Sequence, residues 1–163
     1  MPLTCLLLLV NPIKEKALMK IIVIFPIIAA LFATNVYAKC EGKTLFSCAT
    51  TKGKQIEVCD SGKTIDYSFG KPQGKLEIAI KVPRDQVSTS QWAGVGRAES
   101  YAVDIPNDKA TYNVFWSVDR LTDAHAIEAG VNVFIDKALV TTVNCSGKDV
   151  VSNLEGVKLK PTE

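Results

Sequence analysis

Five cysteines and a single histidine, His125, are the side chains of this 163-residue chain best suited to redox, metal or nucleophilic chemistry. Four of the cysteines (Cys40, Cys48, Cys59 and Cys145) lie past residue 38, separated by 7, 10 and 85 residues. A zinc site needs clustered ligands, such as a C-x-x-C pair completed by further Cys or His. No such pair occurs in this sequence, and one histidine cannot supply the rest. An even number of cysteines in an exported chain predicts two structural disulfides instead, with three connectivities open.

Acid–base chemistry has one candidate, the Asp123–His125 pair within Asp119-Arg120-Leu121-Thr122-Asp123-Ala124-His125. No serine or cysteine in a recognisable nucleophile elbow accompanies it. Gly94-Val95-Gly96 precedes a strand pattern instead of opening a helix and lacks the third glycine of a dinucleotide fingerprint. The reading is therefore not an enzyme, and no pattern calls for a cofactor or a metal.

Binding chemistry has a better candidate. Pro83 to Ala98 (PRDQVSTSQWAGVGRA) is the longest stretch without a strand pattern, and loops of this length in compact domains are usually functional or disordered. It carries Trp92 and Arg97 and leads into Ser100 and Tyr101. Trp, Tyr and Arg are the residues that most often anchor protein interfaces. The competing reading is a covering loop whose Trp92 plugs one end of the domain. Phe115 and Phe134 fall on the outward sides of their strands, a second surface for a partner.

The elements that must position these residues begin after residue 38. Ile21 to Phe32 is an apolar run behind Met19-Lys20 and ahead of Val36-Tyr37-Ala38, the plan of a secretory signal peptide, too short to span a bilayer. Cleavage is expected after Ala38. Residues 1–18 read as an upstream start, with Met19 the true one, or as a long leading region or double-span anchor. Lys39 stands where a bacterial lipoprotein places a small residue before the modified cysteine, so no stable membrane anchor is expected after cleavage.

Residues 39–163 are enough for one domain and too few for two. Removing the leader takes three of nineteen Lys/Arg and one of seventeen Asp/Glu, leaving sixteen of each and a net charge near zero. Without a basic stripe, nucleic acid is not an expected partner.

Alternation of period two dominates this part. Leu76, Ile78, Ile80 and Val82 share a face, as do Ile65, Tyr67 and Phe69; Tyr101, Val103 and Ile105; and Tyr112, Val114, Trp116 and Val118. Val131, Val133 and Ile135, then Leu139, Thr141 and Val143, follow suit. With Leu45–Thr51 and Gln55–Asp60 this makes about eight strands. Short turns such as Pro106-Asn107-Asp108-Lys109 and Asp136-Lys137 make neighbours antiparallel. The expected fold is all-β, a small antiparallel barrel or sandwich with at most one or two short helical turns, at 149–154 or within 119–129. A two-residue turn at Gly53-Lys54 would set Cys48 opposite Cys59; Lys52-Gly53 would set it opposite Glu57, with Cys59 diagonal. Both favour Cys48–Cys59, leaving Cys40–Cys145.

Leu45-Phe46-Ser47-Cys48-x-Thr50, then Gly53-Lys54-x-Ile56-x-Val58-Cys59 and Ile65-x-Tyr67-x-Phe69-Gly70, resemble a family of small exported bacterial proteins without assigned function. More distantly, the signal peptide, the small β domain and Gly96-Arg97-Ala98-Glu99-Ser100-Tyr101 resemble the periplasmic lysozyme inhibitors. That resemblance implies a periplasmic or secreted binding protein for a partner in the cell envelope, such as a lysozyme, with Trp92, Arg97, Ser100 and Tyr101 making the contact. Two departures stand out. Serine directly precedes the tyrosine instead of preceding a glycine, and Glu99 would bring a negative charge toward a carboxylate-lined cleft. The alternative is an envelope-associated module that binds through a sheet edge or the Phe115/Phe134 side.

Overall fold

In the computed structural model, residues 40–147 and 149–162 are described; the signal-peptide reading of residues 1–38 lies outside them. The strands run in chain order as β1 (Lys43–Ala49), β2 (Gln55–Asp60), β3 (Thr64–Gly70), β4 (Leu76–Pro83), β5 (Ser88–Ser90) and β6 (Ala98–Asn107). They continue as β7 (Ala110–Asp119), β8 (Ile127–Ile135), β9 (Ala138–Asn144), β10 (Val151–Ser152) and β11 (Lys160–Pro161). One sheet has the order β10-β1-β2-β3-β4 and the other β11-β5-β6-β7-β8-β9. Every pairing is antiparallel except β11 with β5. The result is an all-β sandwich, not a closed barrel.

Alternation explains the layers. Phe46, Ile56, Val58, Ile65 and Tyr67 of the first sheet meet Val103, Ile105, Tyr112, Val114 and Val131 of the second in one buried core. The Tyr67 and Tyr112 rings stack across it with centroids 4.9 Å apart. Burial pushes the Tyr67 hydroxyl pKa well up. Leu154, wholly buried, pins the C-terminal segment over the same core.

Two short elements replace expected ones. Within the expected loop 83–98, Arg84–Gln86 is a 3-10 turn, Val87 is buried and Ser88–Ser90 pairs with β6. Only residues 91–97 remain a loop. At 149–154, where a helical turn was expected, β10 pairs with β1.

The disulfide pairing is a correction. The bonds are Cys40–Cys59 and Cys48–Cys145, not Cys48–Cys59 and Cys40–Cys145. The cause is the first hairpin. Its loop is five residues, 50–54, between the paired Ala49 and Gln55. The Thr50 and Gly53 amides donate to the Lys54 and Thr50 carbonyls, and Gly53 takes a φ of 69°. An odd loop in place of an even one shifts the register by an odd number of residues, three from a Gly53-Lys54 turn and one from a Lys52-Gly53 turn, which sends each partner side chain to the other face. Cys48 therefore lies opposite Ile56 on the core face, while Cys59 lies opposite Thr44 on the outer face. Cys48 reaches Cys145, which forms an isolated bridge with Thr50 just past β1, and Cys59 is left for Cys40.

The sandwich has two distinct ends. At one, β6 joins β7 through Asp108-Lys109 and β8 joins β9 through Asp136-Lys137. Asp136 and Lys137 have φ of 48° and 68°, as a type I′ turn requires. At the other end lie the loops 91–97 and 120–126.

Candidate functional site

The register of β6 and β7 builds the loop end. From the Asp108-Lys109 turn, pairing runs through Tyr101↔Trp116 to Ala98↔Asp119, so the last residues of β7 arrive beside Arg97. The Arg97 Nε and Nη2 donate to one Asp119 carboxylate oxygen at 2.9 and 2.6 Å. The Asp119 carboxylate also accepts from the Leu121 amide at 2.9 Å. The Arg97 hydrogen bond, aided by the Leu121 amide, holds the Asp119 carboxyl down at about 2, well below the usual carboxylate range.

Further contacts brace the same two loops. The Arg120 amide donates to the Arg97 carbonyl at 3.0 Å. The Arg120 guanidinium lies 4.4 Å from the centroid of the Trp92 ring, a cation–π contact. Its Nε sits 3.7 Å from a Glu99 carboxylate oxygen. The Trp92 indole N–H closes its own loop by donating to the Val95 carbonyl at 2.9 Å, and Gly94 and Gly96 supply the positive φ that this tight loop needs. The frame holds Val95 and Leu121 outward, 77% and 75% exposed.

Of the residues singled out in the sequence, the structure brings Trp92, Arg97 and Tyr101 to one end. Trp92 is half-buried against the core and roofed by Arg120, so it plugs the end of the domain while shaping the loop. Arg97 is exposed but committed to Asp119. Tyr101 is buried, stacks on Trp116 with centroids 6.1 Å apart, and donates its hydroxyl to Glu99 at 3.2 Å. Burial, then the Glu99 hydrogen bond and the Glu155 charge, raise its pKa. Ser100 does not join them. One position away on the same strand, it points to the other face, opposite Ser117.

Asp123 and His125 are both exposed, and His125 Nδ1 lies 3.2 Å from the Asp119 carbonyl oxygen. Phe115 and Phe134 are half-buried on the outer face of the second sheet. Among the described residues no three His, Cys, Asp or Glu side chains cluster as metal ligands, and no helix is long and apolar enough to cross a membrane.

Sequence reasoning missed Asp119, Arg120 and Glu155. The first two were within reach: counting outward from the Asp108-Lys109 turn places Asp119 opposite Ala98 and hence beside Arg97. Glu155 carried no signal, because the path from β10 to β11, residues 153–159, has no periodicity. Compared with known proteins, the chain matches no family model, no curated protein and no solved structure.

Proposed function

We propose that this chain is an exported, non-enzymatic binding protein that grips a protein partner of the cell envelope with its loop end. The observation that carries the reading is the cross-braced loop pair. Arg97–Asp119 and Arg120–Trp92 hold Val95 and Leu121 out on a frame ordered before any encounter. Preorganised apolar tips lose little entropy on docking. Two disulfides suit an oxidising compartment, periplasmic or secreted.

A cell-wall hydrolase of the lysozyme type is the first partner to test, because a protruding loop pair suits an enzyme cleft. Oxidised residues 39–163 should inhibit lysis of cell-wall suspensions in a dose-dependent way. Val95→Asp with Leu121→Asp should weaken that inhibition roughly fivefold or more. No inhibition of any lysozyme type at large molar excess overturns the hydrolase reading, and pull-down from envelope extracts with the wild type and the double variant then tests the loop end itself.

One observation favours a second reading, an envelope module that pairs through a sheet edge. β9 is an edge strand exposed along most of its length, with Leu139 and Val140 at 57% and 59%. The register shift between Val133 and Phe134 works against this, since a bulge twists an edge away from a partner. A Val140→Lys variant that abolishes capture while the loop-tip variant retains it would select this reading.

A further inference from the structure

The two loops leave a second feature beside the protruding tips. Glu99, Tyr101, Trp116, Ser152 and Glu155 line a recess of about 80 Å³ between the ends of the two sheets. On one side of Glu99, a cation is already held between an aromatic face and this carboxylate: Arg120, over Trp92 and 3.7 Å from Glu99. On the other side the same ingredients recur. Tyr101 and Trp116 stack on each other, the Tyr101 hydroxyl donates to Glu99, and Glu155 adds a second carboxylate to the lining. Among the described residues no Lys, Arg or His forms an ion pair with Glu155.

We infer that this recess accepts a basic side chain, lysine or arginine, presented by the protein partner. Two carboxylates at the edge of a stacked aromatic pair attract an organic cation by charge. The recess has room for an ammonium or guanidinium head. The recess rests on the reading of the loop end as the contact surface, and it adds the chemistry of the partner: a contact surface carrying an exposed cation.

The test uses the oxidised chain and a peptide probe, followed by NMR of the Tyr101 and Trp116 ring protons. Ac-Gly-Arg-Gly-NH2 and Ac-Gly-Lys-Gly-NH2 should give saturable shifts in the millimolar range. Glu155→Gln should weaken them about fivefold with the rest of the spectrum unchanged. The citrulline and acetyl-lysine peptides should give none. No saturation up to about 50 mM, shifts unaltered in Glu155→Gln, or equal shifts from citrulline, acetyl-lysine or N-acetylglucosamine each overturn the recess. The probes do not involve Val95 or Leu121. A failed titration with partner capture still dependent on those tips removes the recess alone; loss of tip dependence removes the loop-end reading.

Discussion

The two ends of the second sheet are made from the same three strands, β6, β7 and β8, yet they are fixed by different physics. At the turn end, backbone geometry does the work: Asp108-Lys109 and Asp136-Lys137 reverse the chain in two residues each. At the loop end, side chains do it, through Arg97–Asp119, Arg120–Trp92 and Tyr101–Glu99. Backbone turns set register and present little surface. Side-chain braces leave the loops free to carry exposed apolar tips and still keep one shape.

The two disulfides give the largest expected effects. Cys48–Cys145 spans 97 residues and ties β1 to the end of β9 near the loops; Cys40–Cys59 spans 19 and ties the start of the described chain to β2. In the chain-entropy model, replacing the first pair with serine should lower unfolding free energy by about 4–5 kcal/mol and the second by about 3 kcal/mol. Denaturant unfolding of the two double variants checks the order. An equal loss from both would mean that the bonds do not act through the unfolded chain.

Next comes the brace. Asp119→Asn keeps the shape of the side chain but removes its charge. Partner binding should weaken roughly three- to tenfold through lost preorganisation, with the denaturation midpoint unchanged because the ion pair is exposed. Titration sharpens the same point. The Asp119 carboxyl is held at about 2 against an ordinary value of 3.8. The carboxylate that holds Arg97 is therefore fully charged above pH 3.8, and the brace is lost as pH falls toward 2. Amide signals of residues 94–97 and 120–122 should broaden over that interval while those of the turn at 108–109 stay sharp.

The smallest effect belongs to the turn end. Lys137 sits at a φ of 68°, where glycine is less strained. Lys137→Gly should raise stability by about 0.5–1 kcal/mol and leave partner binding untouched.

How much of this was readable in the sequence follows the same division. Strands with one buried face, such as β4 and β7, announce themselves by alternation, because each misplaced residue would move the whole apolar set into water. β5, β10 and β11 have two or three residues each, too few to show a period. The Asp136-Lys137 turn was legible since a two-residue hairpin is a local event. The first hairpin was not: whether Gly53 serves a two-residue or a five-residue loop depends on Thr50, whose side chain accepts from the Lys54 amide at 3.1 Å. That single difference moved Cys48 to the core face and redirected both disulfides. That Trp92, Arg97 and Tyr101 stand near one another follows from their closeness in sequence. Alternation turns Ser100 to the face opposite Tyr101, and Glu155 comes from a segment whose position is set by the buried Leu154 and the contacts around it.

Trp92 and Trp116 are the only tryptophans of the chain, and both stand at the loop end, one beneath the Arg120 guanidinium and the other against Tyr101 beside two carboxylates. The core toward the turn end holds the Tyr67–Tyr112 pair instead. Intrinsic fluorescence excited at the red edge of the indole band is therefore a local optical signal of the loops, blind to the turn end. A melt followed by that emission will report release of the braces, whereas one followed by far-ultraviolet dichroism will report loss of the sheets. Two midpoints in place of one would measure how independently the gripping end can open.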